Sequence, residues 1–543
     1  MRVVDLFCGA GGFSEGFERA GFEIIKAYDI WEPAIITHNQ NHGFGTNPAV
    51  RGDIYTISML DDEEFEEAIP DSEIIIGSPP CVAFSNSNKS GKADKTLGVK
   101  LINAFLRIVA RKMVKDNSEL KYWVMENVVN SSKYLLDSYT AEDLEWPALG
   151  GDFVLKLNRE NNIYNMKDFG VPTNRKRYVC GSFPEIYPII KKVEVLNLGT
   201  ILKVLGPPNP QGYRTNINNV SDPVYNFEIP TCDLADHHYI KEIPEFEWKK
   251  AERQKKDKGY MGQMSFPENE EKPARTIMAT MSASSRESMI FKLGNEVHRY
   301  RYPTIREAAT LMSFPIDFRF YGVSDSTKYR MVGNAVAPKF AYEIAKAIRE
   351  DAIKNHNVVI EDRFSTTKIF DDSPNNEVNF TNLNGEIFEL KIEKEKKVDA
   401  KYSYHVPYLI KNAYRVGLNN NFENGVLSWE VKIHHSQGKN AKVFGEINIP
   451  QNLFEDKPIR VGKFIELYRN KIMSYENLQR NYCMTNEQRK DLIGPDELLI
   501  AIKDFLDNFE EKYIEVKEFP KPVSSQILIS FYLLKNIIEG LKK

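Results

Sequence analysis

Between residues 1 and about 183, short β-branched apolar runs alternate with helical patterns, which restricts this part of the chain to a parallel α/β sheet with crossover helices. The runs lie at 3–7, 24–28, 74–76, 123–125 and 178–180. Between the third and fourth, Leu101, Phe105, Ile108, Val109 and Met113 recur near 3.6-residue spacing and predict a crossover helix over 101–113. From 184 to 300, segments such as GPPNPQGYRTN and KKAERQKKDKGYMGQ have little periodicity and read as a loop-rich insertion. Alternation returns at 304–314, and a helix over 338–352 follows a glycine turn, so the first domain is expected to be discontinuous.

A chain of 543 residues exceeds what one hydrophobic core organises, so two or three domains are expected. The expected boundaries are 1–183 completed by 326–354, a small domain over 184–325, and a C-terminal α+β domain over 355–543. In the last, Asn384-Gly385 before EIFELKIE and Asn424-Gly425 before VLSWEVKI predict hairpins. Amphipathic helices are expected near 460–480, 496–512 and 524–541.

With 42% apolar and 27% charged residues the chain matches ordinary globular composition, which excludes global disorder. The first residues carry no basic leader, and the apolar run at 527–534 is far short of the ~20 residues a bilayer requires. Five cysteines without metal-ligand spacing suit a reducing compartment, so a cytoplasmic protein with no bound metal is expected. The formal net charge of -4 gives no whole-protein attraction to nucleic acid, so a nucleic-acid site needs a local basic patch.

DLFCGAGGF at 5–13 places glycines where a strand turns into a helix, where missing Cβ atoms let backbone approach a nucleotide-like ligand. It departs from G-x-G-x-x-G, because the sixth position from Gly9 is Ser14. Asp5 before the loop would repel a pyrophosphate and attract the ammonium of a methionine moiety, which favours S-adenosylmethionine over a dinucleotide. Asp29, 18 residues after Gly11, suits the ribose hydroxyls, and Gly52-Asp53-Ile54 suits the border of an adenine. A glycine loop is equally often a tight turn with no ligand.

In GSPPCVAFS at 77–85, Pro79-Pro80 stiffens a turn directly after a strand and presents Cys81 at the carboxyl edge of the sheet, where ligand crevices form. Methylases of exocyclic amines have an aromatic after the two prolines; a thiol there implies chemistry at carbon. Cytosine C5 becomes nucleophilic once a thiolate adds at C6, and the addition needs an acid at N3. Glu126 in MENV is the candidate acid, and Arg175 and Arg177 in GVPTNRKRYVCGS alternate on a strand, aimed at the base and a nearby phosphate. Taken singly, each has a structural explanation: a buried thiol, a solvated carboxylate, a solvated basic edge.

Taken in order, DLFCGAGG, Asp29, GDI at 52–54, GSPPC, ENV, the RKR segment, TIREAATLMSFP at 304–315 and VGNAVAP at 332–338 resemble the DNA C5-cytosine methyltransferase family over residues 1–350. The resemblance implies a Rossmann-like S-adenosylmethionine-dependent sheet with a small target-recognition domain, and Cys81, Glu126, Arg175 and Arg177 as the catalytic group. It implies cofactor contacts from Asp5, Phe7, Gly9, Gly11, Gly12, Asp29, Ile30, Asp53, Ile54, Pro80, Leu101, Asn334, Ala335 and Val336. Arg306 and Glu307 would organise the junction with the small domain. Two departures are visible: Val82 and Thr173 stand where the family has glutamines.

The resemblance further implies double-stranded DNA as partner, a flipped-out target base, and sequence reading by the 184–300 insertion. Ser85, Arg286 in MSASSRES and the basic run Lys249, Lys250, Arg253, Lys255, Lys256 and Lys258 are the expected DNA contacts, although such a run is equally a solvated helix face. A tRNA-directed branch of the family usually carries Cys-Phe-Thr, which the sequence lacks. A non-catalytic DNA-binding regulator would have lost the nucleophile or the acid. For the C-terminal domain, DNA clamping or homodimerisation is expected. A fused nuclease, suggested by Glu389-Leu390-Lys391 after Asp371 and Asp372, ranks lower because Glu430-Val431-Lys432 and Glu515-Val516-Lys517 repeat the pattern.

Overall fold

Seven strands form the principal sheet, and its middle is built from apolar runs buried on both faces, as a parallel sheet requires. The computed structural model describes residues 1–42, 46–80, 84, 95–157, 162–189, 195–215, 218–257, 262–294, 297–370, 386–436, 442–454, 458–507 and 509–541. In chain order the first elements are β1 (Arg2–Leu6), α1 (Gly12–Arg19), β2 (Glu23–Asp29), α2 (Glu32–Asn41), β3 (Ala49–Arg51), α3 (Ile54–Ser58), α4 (Asp62–Ala68), β4 (Ile74–Gly77), α5 (Lys95–Val114) and β5 (Tyr122–Val128).

The sheet order is β3-β2-β1-β4-β5, followed by strands Lys176–Ser182 and Ile163–Asn165. The first five strands pair in parallel; Lys176–Ser182 runs antiparallel to β5, and Ile163–Asn165 pairs antiparallel with Lys176–Ser182. Helix Pro338–His356 returns against α1, where Gly16 permits the approach: a Cβ there would lie 2.4 Å from the Tyr342 amide nitrogen.

Several elements differ from the sequence expectation. Residues 304–314 carry a helix, Ile305–Leu311, because Thr304 and Glu307 form a reciprocal capping box. The helix expected over 460–480 is two, Pro458–Ile472 and Tyr475–Cys483, separated by Met473 at φ 70 and by the Ser474 cap. Asn384 and Gly385 lie outside the described residues, and the stretch from 386 onward makes only an isolated bridge, Ile240 with Ile387, in place of a hairpin. The Asn424-Gly425 turn does join strands Tyr414–Glu423 and Val426–His435, with φ values of 51 and 80.

The domain division also needs correction. One compact unit comprises Met1–Glu242 and Glu268–Glu389; the other comprises Ile243–Pro267 and Leu390–Lys543. The 184–325 segment is thus split: most of it packs into the first unit, while helix Glu245–Lys256 belongs to the second. Within the second unit Arg253 pairs with Asp496 at 3.0 Å, and Asp257 accepts from the Tyr408 amide. The boundary at 355 moves to 389, because 357–370 is bonded along α1. The second unit has a four-stranded sheet, Ser403–His405, Tyr414–Glu423, Val426–His435 and Lys442–Phe444, whose core includes apolar residues of helices Pro458–Ile472, Pro495–Leu506 and Ser525–Glu539. Among the described residues no helix is long and apolar enough to cross a membrane.

Candidate active site

The site lies at the carboxyl ends of β1, β2, β4 and β5. Leu6 ends β1, and Phe7 and Gly9 take positive φ, 63 and 54, to turn the chain into α1. Gly9 donates its amide to Asp29 Oδ2 at 2.9 Å, and Trp31 donates to Asp29 Oδ1 at 2.8 Å, so the β2 acid fixes the loop. Gly11 sits at φ 93, and a Cβ on Gly12 would come within 2.3 Å of the Val336 carbonyl oxygen. The return motif therefore lies directly against the loop.

Asp5 is fully buried. Ser14 Oγ donates to its Oδ2 at 2.6 Å, while Oδ1 has no hydrogen-bond partner. Burial pushes the carboxyl up to about 7 against the bond from Ser14, with the charge of Asp29 adding to the rise. An orphaned, desolvated carboxylate beside a glycine cradle suits an ammonium group, and in this respect the residues fit S-adenosylmethionine. Asp53 caps α3 through the Tyr55 amide, and Ile54 is buried behind it. Ile30 is 65% exposed beside the loop's acid, leaving an apolar surface available to a planar ring. Pro80 and Asn334 are exposed, Leu101 and Ala335 half-buried, and Val336 buried.

Gly77 pairs with Met125 across β4 and β5, which brings the next residues together: Ser78 Oγ donates to Glu126 Oε2 at 2.9 Å. Asn127 Nδ2 donates to the Pro79 carbonyl at 3.0 Å, so the ENV strand pins the proline turn that precedes Cys81. Cys81, Val82 and Ser85 lie outside the described residues. Glu126 is 4% exposed, and Arg177 Nε lies 3.1 Å from its Oε1. The arrangement presents a carboxyl group, oriented on two sides, next to a rigid turn.

Arg175 departs from the expected pairing with Arg177. Buried at 3% exposure, it donates to the carbonyls of Ile277 (3.2 Å), Gly333 (3.2 Å) and Ala335 (3.1 Å). One guanidinium thus ties the return motif at 333–335 to Ile277 through backbone carbonyls. Thr173, at the family's glutamine position, donates to the Leu311 carbonyl at 2.6 Å. Arg306 is held by the carbonyls of Ala235 and Pro315, and Glu307 by Arg301 at 2.7 Å, a buried framework beneath the small domain.

The expected DNA contacts separate. Arg286 is buried. Arg253 is turned to Asp496 and lies over the Tyr404 ring at 4.8 Å, and Lys255 is buried, because this helix packs in the second unit. Lys249 remains exposed beside Glu245 at 2.6 Å, Lys250 lies 5.8 Å from the Tyr404 ring, and Lys258 is outside the described residues. The basic run is therefore not one open face. Sequence reasoning missed Ser14, Ser78 and Asn127. The last stands inside the ENV motif, but its bond to Pro79 depends on strand register.

This sheet order, with an acid-flanked glycine loop at its switch point, defines a Rossmann-like methyltransferase dependent on S-adenosylmethionine. The chain belongs to the C-5 cytosine-specific DNA methylase family, whose model matches residues 1–350. It is 31% identical to the Type II methyltransferase M.FnuDI of Fusobacterium nucleatum, over 67% of this chain and 99% of that protein. To the Type II methyltransferase M.MthTI of Methanothermobacter thermautotrophicus it is 29% identical, over 65% and 98%. Among solved structures it is similar to the Entamoeba histolytica methyltransferase EhMeth, with a TM-score of 0.43, 17% identity and coverage of 65% and 98%. The chain is accordingly a DNA cytosine-5 methyltransferase with S-adenosylmethionine as methyl donor.

Proposed function

We propose that Cys81 adds to C6 of a cytosine flipped out of a specific double-stranded DNA sequence, while Glu126 hydrogen-bonds or protonates N3. The observation that carries this reading is the oriented Glu126 carboxyl, held by Ser78 and Arg177 beside the turn that leads to Cys81. Asp5, Gly9, Gly11, Gly12, Asp29, Asp53 and Val336 would hold the cofactor, which supplies an electrophilic methyl group on a sulfonium. Once C5 is methylated, loss of its proton expels the Cys81 thiolate and restores the aromatic ring. Arg177 keeps the Glu126 carboxyl directed at the pocket throughout.

The test is transfer of labelled methyl groups to unmethylated duplex DNA by the Cys81→Ala and Glu126→Gln variants. Cys81→Ala should transfer none, and Glu126→Gln should retain a small fraction of the parental rate, since an acid–base group contributes about 10²–10⁴-fold. Parental rates in Cys81→Ala sink the reading. The similarity to Type II methyltransferases supports a role in a restriction–modification system, acting on cytoplasmic DNA. Bisulfite sequencing of the methylated product would identify the sequence read by the insertion.

For the second unit, charge favours DNA clamping over self-association. Its segments 243–267 and 390–543 contain 31 Lys and Arg against 25 Asp and Glu, whereas the rest of the chain contains 41 against 51. A homodimer is the second outcome, read by sedimentation. The nuclease alternative has little support. Among the described residues, the one group of three converging donors, Glu15, Glu18 and His42, lies in the first unit, and Asp371 and Asp372 are outside those residues. Cleavage of unmethylated DNA with Mg²⁺ would revive it.

A further inference from the structure

The segment 359–370 lies beyond the 350 residues that the family model covers, yet it is bonded along α1, the helix that opens on the glycine loop. Arg19 Nη1 donates to the carbonyls of Phe364 (2.6 Å) and Thr366 (3.2 Å), and the Arg363 amide donates to the Arg19 carbonyl at 2.9 Å. The Phe370 ring lies 3.9 Å from the Arg319 guanidinium. Lys368 is the deepest contact. Its amide donates to Asp317 Oδ2 at 2.7 Å, and its ammonium reaches the Asn41 carbonyl and Glu15 Oε2, both at 2.8 Å.

Glu15 stands directly beneath the loop. A Cβ on Gly11 would lie 2.3 Å from His42 Nε2 and 3.0 Å from His38 Cδ2, so two imidazoles, 4.5 Å apart, form the floor on which the loop rests. His42 Nδ1 is 2.7 Å from Glu18 Oε2 and 3.8 Å from Glu15 Oε2, while His38 Nε2 is 3.0 Å from Ser14 Oγ. Ser14 in turn donates to Asp5. Lys368, Glu15 and His42 thus form one polar cluster and His38, Ser14 and Asp5 another, and the two meet where the His42 and His38 rings pack 4.5 Å apart beneath Gly11. Glu15, Glu18 and His42 also have the spacing of a metal site, but the Lys368 ammonium already occupies the cation position against Glu15.

Glu15 is fully buried between Arg19 and Lys368. Removing one of two cations from a buried carboxylate leaves uncompensated charge against the adjacent imidazole, whose packing must then change. That change occurs where Gly11 has no clearance.

We propose that Lys368 is a positioning residue for the cofactor: by neutralising Glu15 beneath the imidazole floor it holds Gly9–Gly12 in the binding conformation, so that docking of 359–370 sets cofactor affinity. The inference rests on the reading of the 5–13 loop as the cofactor cradle.

The experiment is calorimetric titration of the full chain with S-adenosylhomocysteine, together with methyl-transfer kinetics. Lys368→Met should weaken the Kd for S-adenosylhomocysteine and raise the KM for S-adenosylmethionine by about tenfold, the scale of one lost charge-assisted hydrogen bond. The kcat at saturating cofactor and the Kd for duplex DNA should stay within about twofold, and Lys368→Arg should recover most of the cofactor affinity. If Lys368→Met does not fold, Lys368→Gln, which keeps a donor toward the Asn41 carbonyl and removes only the charge, should show the same split. An unchanged Kd in the variant overturns the proposal, as does a fall in kcat and DNA affinity as large as the fall in cofactor affinity. A parental protein that fails to bind S-adenosylhomocysteine overturns instead the cofactor reading of the loop.

Discussion

Asp5, the proposed partner of the cofactor's ammonium group, has a pH dependence whose direction is fixed by its surroundings. Burial lifts its carboxyl to about 7, well above its value in an unfolded chain, so the stability it contributes is complete below about 4 and is lost as pH rises through about 7. A cationic ligand prefers the ionised form that this loss leaves behind. Affinity for S-adenosylmethionine should therefore rise by about tenfold between pH 6 and pH 8 and then level off, while Asp5→Asn should bind weakly and without this slope. A flat parental profile in titration calorimetry would contradict the assignment of Asp5. Asn127 acts differently, through the Pro79 carbonyl. Asn127→Ala should lower kcat by about 10²-fold with cofactor Kd unchanged, because a small displacement of the nucleophile turn suffices. The positions of Asp5 and Glu126 near strand ends were legible in the sequence from the apolar runs that precede them. Ser14, His38 and Asn127 were not, because each works through a partner brought close by the fold, 9, 24 or 48 residues away.

Among elements, local chemistry was most readable where few tertiary contacts compete. The Asn424-Gly425 turn announced its hairpin since both residues tolerate left-handed backbone, and Gly425 at φ 80 requires it. Gly425→Val should cost about 1–2 kcal/mol, seen as a lowered thermal midpoint of the second unit. The break at Met473 was invisible in a continuous amphipathic pattern, and the helix at Ile305–Leu311 depended on recognising its capping box. Arg175 shows the limit of strand alternation as a guide. It follows the short strand Thr173–Asn174, and its side chain donates to three carbonyls while Arg177 lies against Glu126. Arg175→Ala should destabilise the first unit by about 3–5 kcal/mol in denaturant unfolding, by leaving buried carbonyls without a donor and separating the return motif from 277. A midpoint equal to the parent would argue instead for a role at the DNA.

Across the whole molecule, the chain passes between units at 242–243, 267–268 and 389–390, so the second unit is built from two chain segments rather than from the C-terminal one alone. That arrangement could not be read from sequence, because the helix Glu245–Lys256 looks like part of the insertion until its partners Asp496, Tyr404 and Tyr408 are known. Deleting 390–543 strips this helix of those partners, and the truncated protein should aggregate. A truncation that is monodisperse and as active as the parent would contradict this two-segment composition. The excess of basic residues in the second unit predicts a further effect: lysine-to-glutamine changes there should reduce the salt dependence of DNA binding while leaving the site of methylation unchanged.

Attack of Cys81 on C6 of the target cytosine can be trapped on duplex DNA carrying 5-fluorocytosine at the recognised position. Fluorine cannot leave as a proton does, so after methyl transfer the protein should remain covalently joined to the DNA through Cys81. The adduct should depend on S-adenosylmethionine, survive denaturing electrophoresis and map by mass spectrometry to the peptide containing Cys81. Absence of an adduct in an actively methylating preparation, or an adduct at another residue, would contradict the account.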